Sequence, residues 1–150
     1  MVCIGTSAVD YSSGILCGRP FGGVAIFWHC DIDSHVKPIY FDCDWLIGLE
    51  LTIEKRVFTI LNVYMPYECL ENEDNYLSKL TEVITRIEEI NHSCVAVFGD
   101  FNANLSLNSG SKFGKYLIDY CNDNHLHISS MIKLPPDSFS LSVVVGQTHG

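Results

Sequence analysis

The amino-acid sequence predicts an α/β protein, because strand-like and helix-like patterns alternate along its 150 residues. The runs 24–28 and 94–98 are continuously apolar and have the length of a strand. Residues 45–53 and 57–64 are joined by a short polar turn, as in a hairpin. After this hairpin, apolar residues recur at spacings of three and four, which is typical of an amphipathic helix. A hairpin combined with a helical crossover predicts a mixed sheet.

The elements before the hairpin are predicted from composition and from breaks in the apolar pattern. Residues 1–17 are rich in glycine and serine, which predicts an irregular opening segment. The uninterrupted apolar run at 24–28 predicts a strand that is covered on both faces. Residues 36–41 are predicted to form a weaker strand, because Pro38 interrupts it.

The elements after the hairpin follow from helical and strand periods. The helical stripe consists of Tyr76, Leu77, Leu80, Val83, Ile84, Ile87 and Ile90. Acidic residues crowd the start of this helix, where the helix dipole favours negative charge. A strand at 94–98 comes next and is followed by a second helix over 111–123. Two short strands, at 125–129 and 139–145, are predicted around a proline-containing loop.

Composition excludes several classes of protein. With 47% hydrophobic and 18% charged residues, the chain is too apolar for a disordered protein. No apolar run approaches the roughly 20 residues that a membrane helix needs, and no signal peptide is evident. An intracellular location is therefore predicted. The net charge of −9 argues against tight binding of nucleic acid by the chain as a whole, although it permits a local phosphate site.

The cysteines do not form a recognisable metal or disulfide pattern. The seven cysteines are scattered and contain no CxxC pair, so free buried thiols are predicted. Cys121 with His125 and His127 is the nearest approach to a metal cluster. Three ligands of this kind more often mark a strand end than a zinc site, so no metal ligand is assigned.

Two segments place polar residues directly after apolar strands. These are Asn62-Val63-Tyr64-Met65-Pro66 and Gly99-Asp100-Phe101-Asn102-Ala103. In open α/β sheets, ligands gather outside the strand ends. Asp100 could hold or polarise a water molecule, Asn102 could donate to an anionic oxygen, and Tyr64 could bind a phosphate. Each residue also has a purely structural interpretation: Asp-x-Asn as an Asx turn, Tyr64 as a half-buried core residue, and Asn62 as a bond to a neighbouring loop.

Three motifs in order resemble one known family. GGVAIFW, NVYMP and VAVFGDFNA are spaced by about thirty-five residues each and resemble the endonuclease/exonuclease/phosphatase superfamily, in particular the endonuclease-like domains of LINE-type retrotransposons. The resemblance extends over residues 18–148. It implies a DNase I-like fold, here a partial four-layer α/β/β/α sandwich of mixed sheets flanked by helices.

The resemblance also implies an activity and a set of site residues. Family members cleave phosphodiester or phosphomonoester bonds with a divalent metal, usually Mg²⁺. Asp100 matches the acid that positions the attacking water, and Asn102 matches the amide that orients the nucleophile. Tyr64 matches a tyrosine that steadies the scissile phosphate, and Asn62 matches the amide just before it. DNA is then the implied partner, weakly bound given the charge, and the nucleus is added as an expected location.

The sequence also departs from the family pattern. The strand-end Asn and the metal-binding Glu that precede the glycine-rich strand have no counterpart before Gly18. His149 is not preceded by Asp and lies too early for the catalytic histidine, and Tyr67 stands where some relatives carry Asn. We therefore expect residues 18–150 to be the central portion of such a domain, weak or inactive alone and prone to self-association through exposed sheet edges. A non-catalytic interaction module and an inositol or lipid phosphatase stay open as alternatives.

Overall fold

The computed structural model describes residues 1–6, 23–90, 94–106, 110–128 and 144–145. The predicted loop at 135–137, most of the predicted strand at 139–145 and the residue His149 lie outside these ranges. Two α-helices cross the described part of the chain, α1 (Glu73–Glu89) and α2 (Lys112–Asp123). The strands in the same ranges are β1 (Val2–Thr6), β2 (Val24–Trp28), β3 (Val36–Ile39), β4 (Leu46–Ile53), β5 (Arg56–Tyr64), β6 (Cys94–Asp100), β7 (His127–Ile128) and β8 (Val144–Val145).

The strands form two sheets. β1 and β2 pair antiparallel as a small sheet, and the other strands form a six-stranded sheet in the order β3-β4-β5-β6-β8-β7. The neighbours β5 and β6 run parallel, whereas the other pairs in this sheet are antiparallel. The predicted mixed sheet is therefore confirmed, and α1 makes the crossover that a parallel pair requires.

The large sheet is covered on both faces. Alternate residues of β5 and β6, among them Leu61 and Val97, point into a core that they share with buried residues of α1 and α2. On the opposite face, Ile47 and Leu49 of β4 pack against buried residues of the small sheet. The described residues thus form helix, sheet and sheet layers, which confirms the α/β fold class and its partial sandwich.

The hairpin between β4 and β5 turns within two residues. Glu54 and Lys55 both have positive φ, 49° and 69°, as a tight two-residue hairpin turn requires. Arg56 was predicted to belong to the turn, but it pairs with Ile53 and begins β5. The right-handed strand twist favours this compact turn even without glycine.

Two predictions about the small sheet are wrong. Residues 1–17 are not irregular throughout, because Val2–Thr6 forms β1 and Ile4 is buried against the large sheet. β2 is not covered on both faces, since Phe27 is 63% exposed while Val24 and Trp28 are buried. The physical reason is the same in both cases: β2 has β1 as its sheet partner and only one face against the large sheet.

The helices begin close to where the sequence indicates. α1 starts at Glu73, so that its acidic first turn meets the positive end of the dipole. α2 starts one residue after its predicted first residue, because Ser111 is the N-cap and its Oγ accepts from the backbone N–H of Gly114 at 2.9 Å. Neither of the two described α-helices is long and apolar enough to cross a membrane.

Candidate functional site

The carboxyl ends of β5 and β6 lie side by side in the centre of the large sheet. The parallel register pairs Tyr64 with Asp100 and Asn62 with Phe98. Gly99 permits this close approach: its φ is +134°, and a Cβ built there would lie 1.9 Å from the carbonyl oxygen of Val63. Only glycine fits such a position, so the sequence Gly-Asp directly determines how near the two strand ends come.

Backbone and side-chain hydrogen bonds join the two segments beyond the strand ends. The backbone N–H of Met65 donates to the carbonyl oxygen of Asp100 at 2.8 Å. The side-chain amide of Asn102 donates to the carbonyl oxygen of Met65 at 2.7 Å. The structure therefore brings Tyr64, Asp100 and Asn102 to one edge of the sheet, as the sequence motifs predict; their roles in chemistry stay predictions.

The Asp100 carboxylate is partly engaged in a local turn. Its Oδ1 accepts from the backbone N–H of Asn102 at 2.9 Å, and Asn102 adopts a positive φ of 47°. This is the Asx turn that the structural interpretation anticipates. The residue is nevertheless exposed, and Oδ2 has no hydrogen-bond partner within the described part of the chain. One carboxylate oxygen holds the turn, and the other faces solvent.

Tyr64 presents its phenol at the same edge. Its side chain is 36% exposed, and its hydroxyl has no partner among the residues that the structure describes. Its backbone N–H donates to the carbonyl oxygen of Trp45 at 2.8 Å, which ties the strand end to the segment before β4. The phenol can therefore donate to a ligand while its backbone is held in place.

Asn62 has a different environment from the other three residues. Its side-chain amide donates to the carbonyl oxygen of Ala25 at 3.0 Å, across the gap between the two sheets. This is the structural role that the sequence left open for it, a bond to a neighbouring segment. Its part in substrate binding, implied by the family resemblance, stays a prediction.

A small open cleft adjoins Tyr64 on the side of α1. Its volume is about 130 Å³, and its walls include Trp45, Tyr64, Asn75 and Lys79. Nζ of Lys79 lies 4.2 Å from the centroid of the Trp45 ring, a cation–π contact. Partial burial lowers the pKa of Lys79, and the negative charge of Asp44 opposes that shift. Sequence reasoning missed Lys79; its only signal was a cation at the border of the apolar stripe of α1.

The wall behind the edge contains a buried polar group. Tyr76 is fully buried and stacks on Phe113 with 4.0 Å between ring centroids. Its hydroxyl has no hydrogen-bond partner among the residues that the structure describes. Burial raises its pKa well above the ordinary range, and the charges of Glu68 and Asp100 act in the same direction. The phenol is therefore neutral and contributes packing rather than acid–base chemistry.

The segment after Tyr64 is anchored to the second helix. The Glu68 carboxylate accepts from Ser111 Oγ at 2.6 Å and from the backbone N–H of Lys112 at 2.7 Å. A carboxylate at a helix N-terminus is stabilised by the unpaired N–H groups there. Gly114 in the same first turn lies against the loop after β6, since a Cβ there would lie 2.1 Å from the carbonyl oxygen of Asn104. These contacts hold the segment after Tyr64 and the loop after β6 against α2.

The described residues contain one group with metal-ligand composition, and it lies elsewhere. His29, Cys30 and Asp31 bring their ligand atoms within 4.8 Å of one another, and all three residues are exposed. They follow the last residue of β2, whereas Gly23, which directly precedes the strand, lines the Tyr64 cleft. At about 3.3 Å per residue, roughly 20 Å of strand separates them from the candidate site.

Within the described residues, no metal-ligand cluster is formed by the three residues Cys121, His125 and His127. Cys121 is buried in the core, and burial raises the pKa of its thiol to about 12. His127 is exposed at the start of β7. A buried neutral thiol is a poor zinc ligand.

Asp100 is the residue at the edge whose chemistry suits a magnesium ion. Mg²⁺ prefers oxygen ligands and is commonly bound through one or two carboxylates, with water and substrate phosphate completing the shell. The outward Oδ2 of Asp100 is such an oxygen, whereas no group of three ligands forms around it in the described ranges. A single carboxylate oxygen is an incomplete donor set, so an ion here would need water and further ligands to complete its shell.

The fold and the polar strand ends together define a class of protein, an α/β sandwich with polar side chains at the ends of two central parallel strands. Among solved structures, the chain is similar to the endonuclease domain of TRAS1, a telomere-specific non-LTR retrotransposon, with a TM-score of 0.58 and 13% identity over 98% of this chain and 65% of that one. It is equally similar to a mannosyl-6-phosphatase from Bacteroides thetaiotaomicron, with a TM-score of 0.58 and 14% identity over 98% and 63%.

The catalytic domain of human Nocturnin with bound sulfate gives a TM-score of 0.56 and 13% identity over 97% of this chain and 61% of that one. At this identity the likeness is one of fold alone: the chain has the fold of these endonuclease and phosphatase structures, which confirms the predicted partial sandwich of mixed sheets flanked by helices. The chain spans 61 to 65% of the length of these three structures. No family model matches the chain, and neither does any curated protein.

Proposed function

We propose that this chain is the central portion of a metal-dependent hydrolase domain that cleaves phosphodiester bonds in DNA, of the type found in retrotransposons. The observation that supports the proposal is the convergence of Tyr64, Asp100 and Asn102 at one sheet edge. The chemistry is consistent with the fold, because in-line attack on phosphorus needs positioned donors and an activated water more than covalent chemistry.

Each residue has a role that its geometry permits. The outward oxygen of Asp100 positions the attacking water, whose proton passes to solvent as the new P–O bond forms; the P–O bond to the leaving oxygen breaks, and that oxygen takes a proton from solvent. Asn102 uses one amide hydrogen for the carbonyl of Met65, so its second amide hydrogen is available to a phosphoryl oxygen. Tyr64 donates its hydroxyl proton to another oxygen of the same phosphate. Because the backbone holds all three groups, little reorganisation accompanies the reaction.

Asp100 is also the residue that would hold the metal, together with water and a substrate phosphate. Such an ion, when bound, offsets the negative charge that builds on the phosphoryl oxygens. The remaining contributions, orientation of the phosphate and of the attacking water, come from the side chains described above.

A nicking assay on supercoiled plasmid with Mg²⁺, at an excess of protein over DNA, tests the proposal. Asp100→Asn keeps an oxygen for the Asx turn but removes the charge, so we expect about 100-fold slower nicking without loss of fold. Asp119→Asn is the matched control, since Asp119 is an exposed acid on α2. Nicking that survives Asp100→Asn contradicts the proposal, and no nicking at any Mg²⁺ concentration favours the non-catalytic module over the hydrolase.

A phosphomonoesterase is the second candidate. It is favoured by one observation, the equal fold similarity to the Bacteroides mannosyl-6-phosphatase. Asp100-dependent release of phosphate from inositol or sugar phosphates, without plasmid nicking, would select it. If neither substrate class is cleaved, the chain acts as a non-catalytic module.

A further inference from the structure

The cleft beside Tyr64 contains a lysine, Lys79, that forms no ion pair with any residue that the structure describes. In the described part of the chain, Lys37 and Lys112 form ion pairs with Glu50 and Glu73, at 3.1 and 3.3 Å. Lys79 forms none, and its Nζ instead lies over the ring of Trp45. A half-buried cation without an ion pair gains more from an incoming anion than a surface lysine that is already paired.

The position of this cation is fixed before any ligand arrives. Trp45 is only 7% exposed, so its ring is a rigid support for the ammonium group. A lysine held in this way loses less side-chain freedom on binding than a mobile one, which favours affinity. The contact thus preorganises a positive charge in a chain whose net charge is −9.

The other walls of the cleft indicate which anion fits. Asn75 lies one helical turn before Lys79 and offers amide donors, while Tyr64 forms a wall of the cleft and keeps its one hydroxyl donor for the phosphate beside Asp100. Asp44 is the opposing charge at the rim, although it lies beyond ion-pair distance of Lys79. A volume of about 130 Å³ is below that of pockets that enclose whole ligands, roughly 300 to 1,000 Å³, and suits a single phosphate group.

We propose that the cleft of Tyr64, Asn75 and Lys79 is a second phosphate subsite, which binds the DNA backbone phosphate next to the one held at Asp100. This inference rests on the proposed function for its substrate class. Tyr64 is the wall between the two sites, because it pairs with Asp100 on β6 and also lines the cleft. Lys79 therefore contributes to DNA binding and to the position of the DNA strand along the site, and takes no part in proton transfer.

The test separates binding from cleavage. The affinity for a fluorescein-labelled single-stranded DNA of mixed sequence is measured by anisotropy in EDTA, over a series of salt concentrations. We expect Lys79→Met to bind roughly tenfold more weakly and to show a slope of log K against log salt that is shallower by about 0.7. Lys79→Arg keeps the charge and stacks on Trp45, so it should bind within about threefold of the unmodified protein.

Lys115→Met is the matched control, because Lys115 is an exposed lysine on α2 and its removal changes the net charge equally. Near-UV circular dichroism checks folding, and Lys79→Gln replaces the methionine variant if that one misfolds. No DNA binding by the unmodified protein, equal losses in the Lys79 and Lys115 variants, or no loss at Lys79 would each overturn the subsite. Lys79-dependent binding without any nicking would refute the hydrolase and leave the subsite standing.

Discussion

Gly99→Ala tests the geometry on which the candidate site depends. A Cβ at this position would lie 1.9 Å from the carbonyl oxygen of Val63, about 1.5 Å closer than ordinary contact. To relieve the overlap, β6 must move away from β5. A movement of that size breaks the 2.8 Å hydrogen bond from Met65 to Asp100, which joins the two site segments.

The magnitude follows from two contributions. The positive φ of +134° costs an alanine about 1–3 kcal/mol, and each broken backbone hydrogen bond costs about 1 kcal/mol more. We therefore expect Gly99→Ala to lower the free energy of unfolding by about 2–4 kcal/mol, measured by urea denaturation. Nicking should fall with it, since Tyr64 and Asp100 lose their register.

Gly110→Ala is the matched control. Gly110 also has a positive φ, +65°, but a Cβ there meets nothing within 4 Å. Its replacement should cost only the conformational strain, about 1 kcal/mol. If Gly99→Ala costs no more than Gly110→Ala, the close approach of the two strands is refuted, and with it the shared edge.

Three further predictions concern single groups. Tyr76→Phe removes a buried hydroxyl that has no partner within the described ranges, so the free energy of unfolding should stay within about 0.5 kcal/mol or rise. A loss above about 1.5 kcal/mol in urea denaturation would reveal a partner for that hydroxyl. Asn62→Ala deletes the bond to Ala25 between the sheets and should cost about 1 kcal/mol by the same method, whereas no cost would show that the sheets do not need it. The hydrogen bond from Tyr116 lowers the pKa of Glu73. The stabilisation that this ionised carboxylate gives to the folded state is therefore fully present above pH 4.5, the ordinary pKa, and is lost as the pH falls through the lowered pKa. Glu73→Gln should therefore flatten the acid end of the stability–pH profile, and an unchanged profile would contradict the assignment.

The strand and helix pattern could be predicted from local sequence, because both depend on short-range periodicity. The stripe through Leu80 and Val83 specifies a helix and the face that it buries, whereas the apolar run 94–98 specifies a strand without choosing a face. The glycine and serine content of residues 1–17 led to a wrong prediction of irregular structure there. The strand β1 is stabilised by its pairing with β2 and not by its own composition. Composition reports local preference, and strand pairing is non-local.

For the candidate site, too, the sequence predicts the local features and the tertiary structure decides the contacts between distant segments. The residue types at Tyr64, Asp100 and Asn102, and the glycine that lets two strands meet, are visible in the amino-acid sequence and predict a polar strand edge. That Asn62 joins two sheets, and that Lys79 lies over Trp45 beside the edge, only the tertiary structure decided. The physical reason is separation along the chain: these contacts link residues more than thirty positions apart, and their geometry is set by how the layers pack rather than by any period in the sequence.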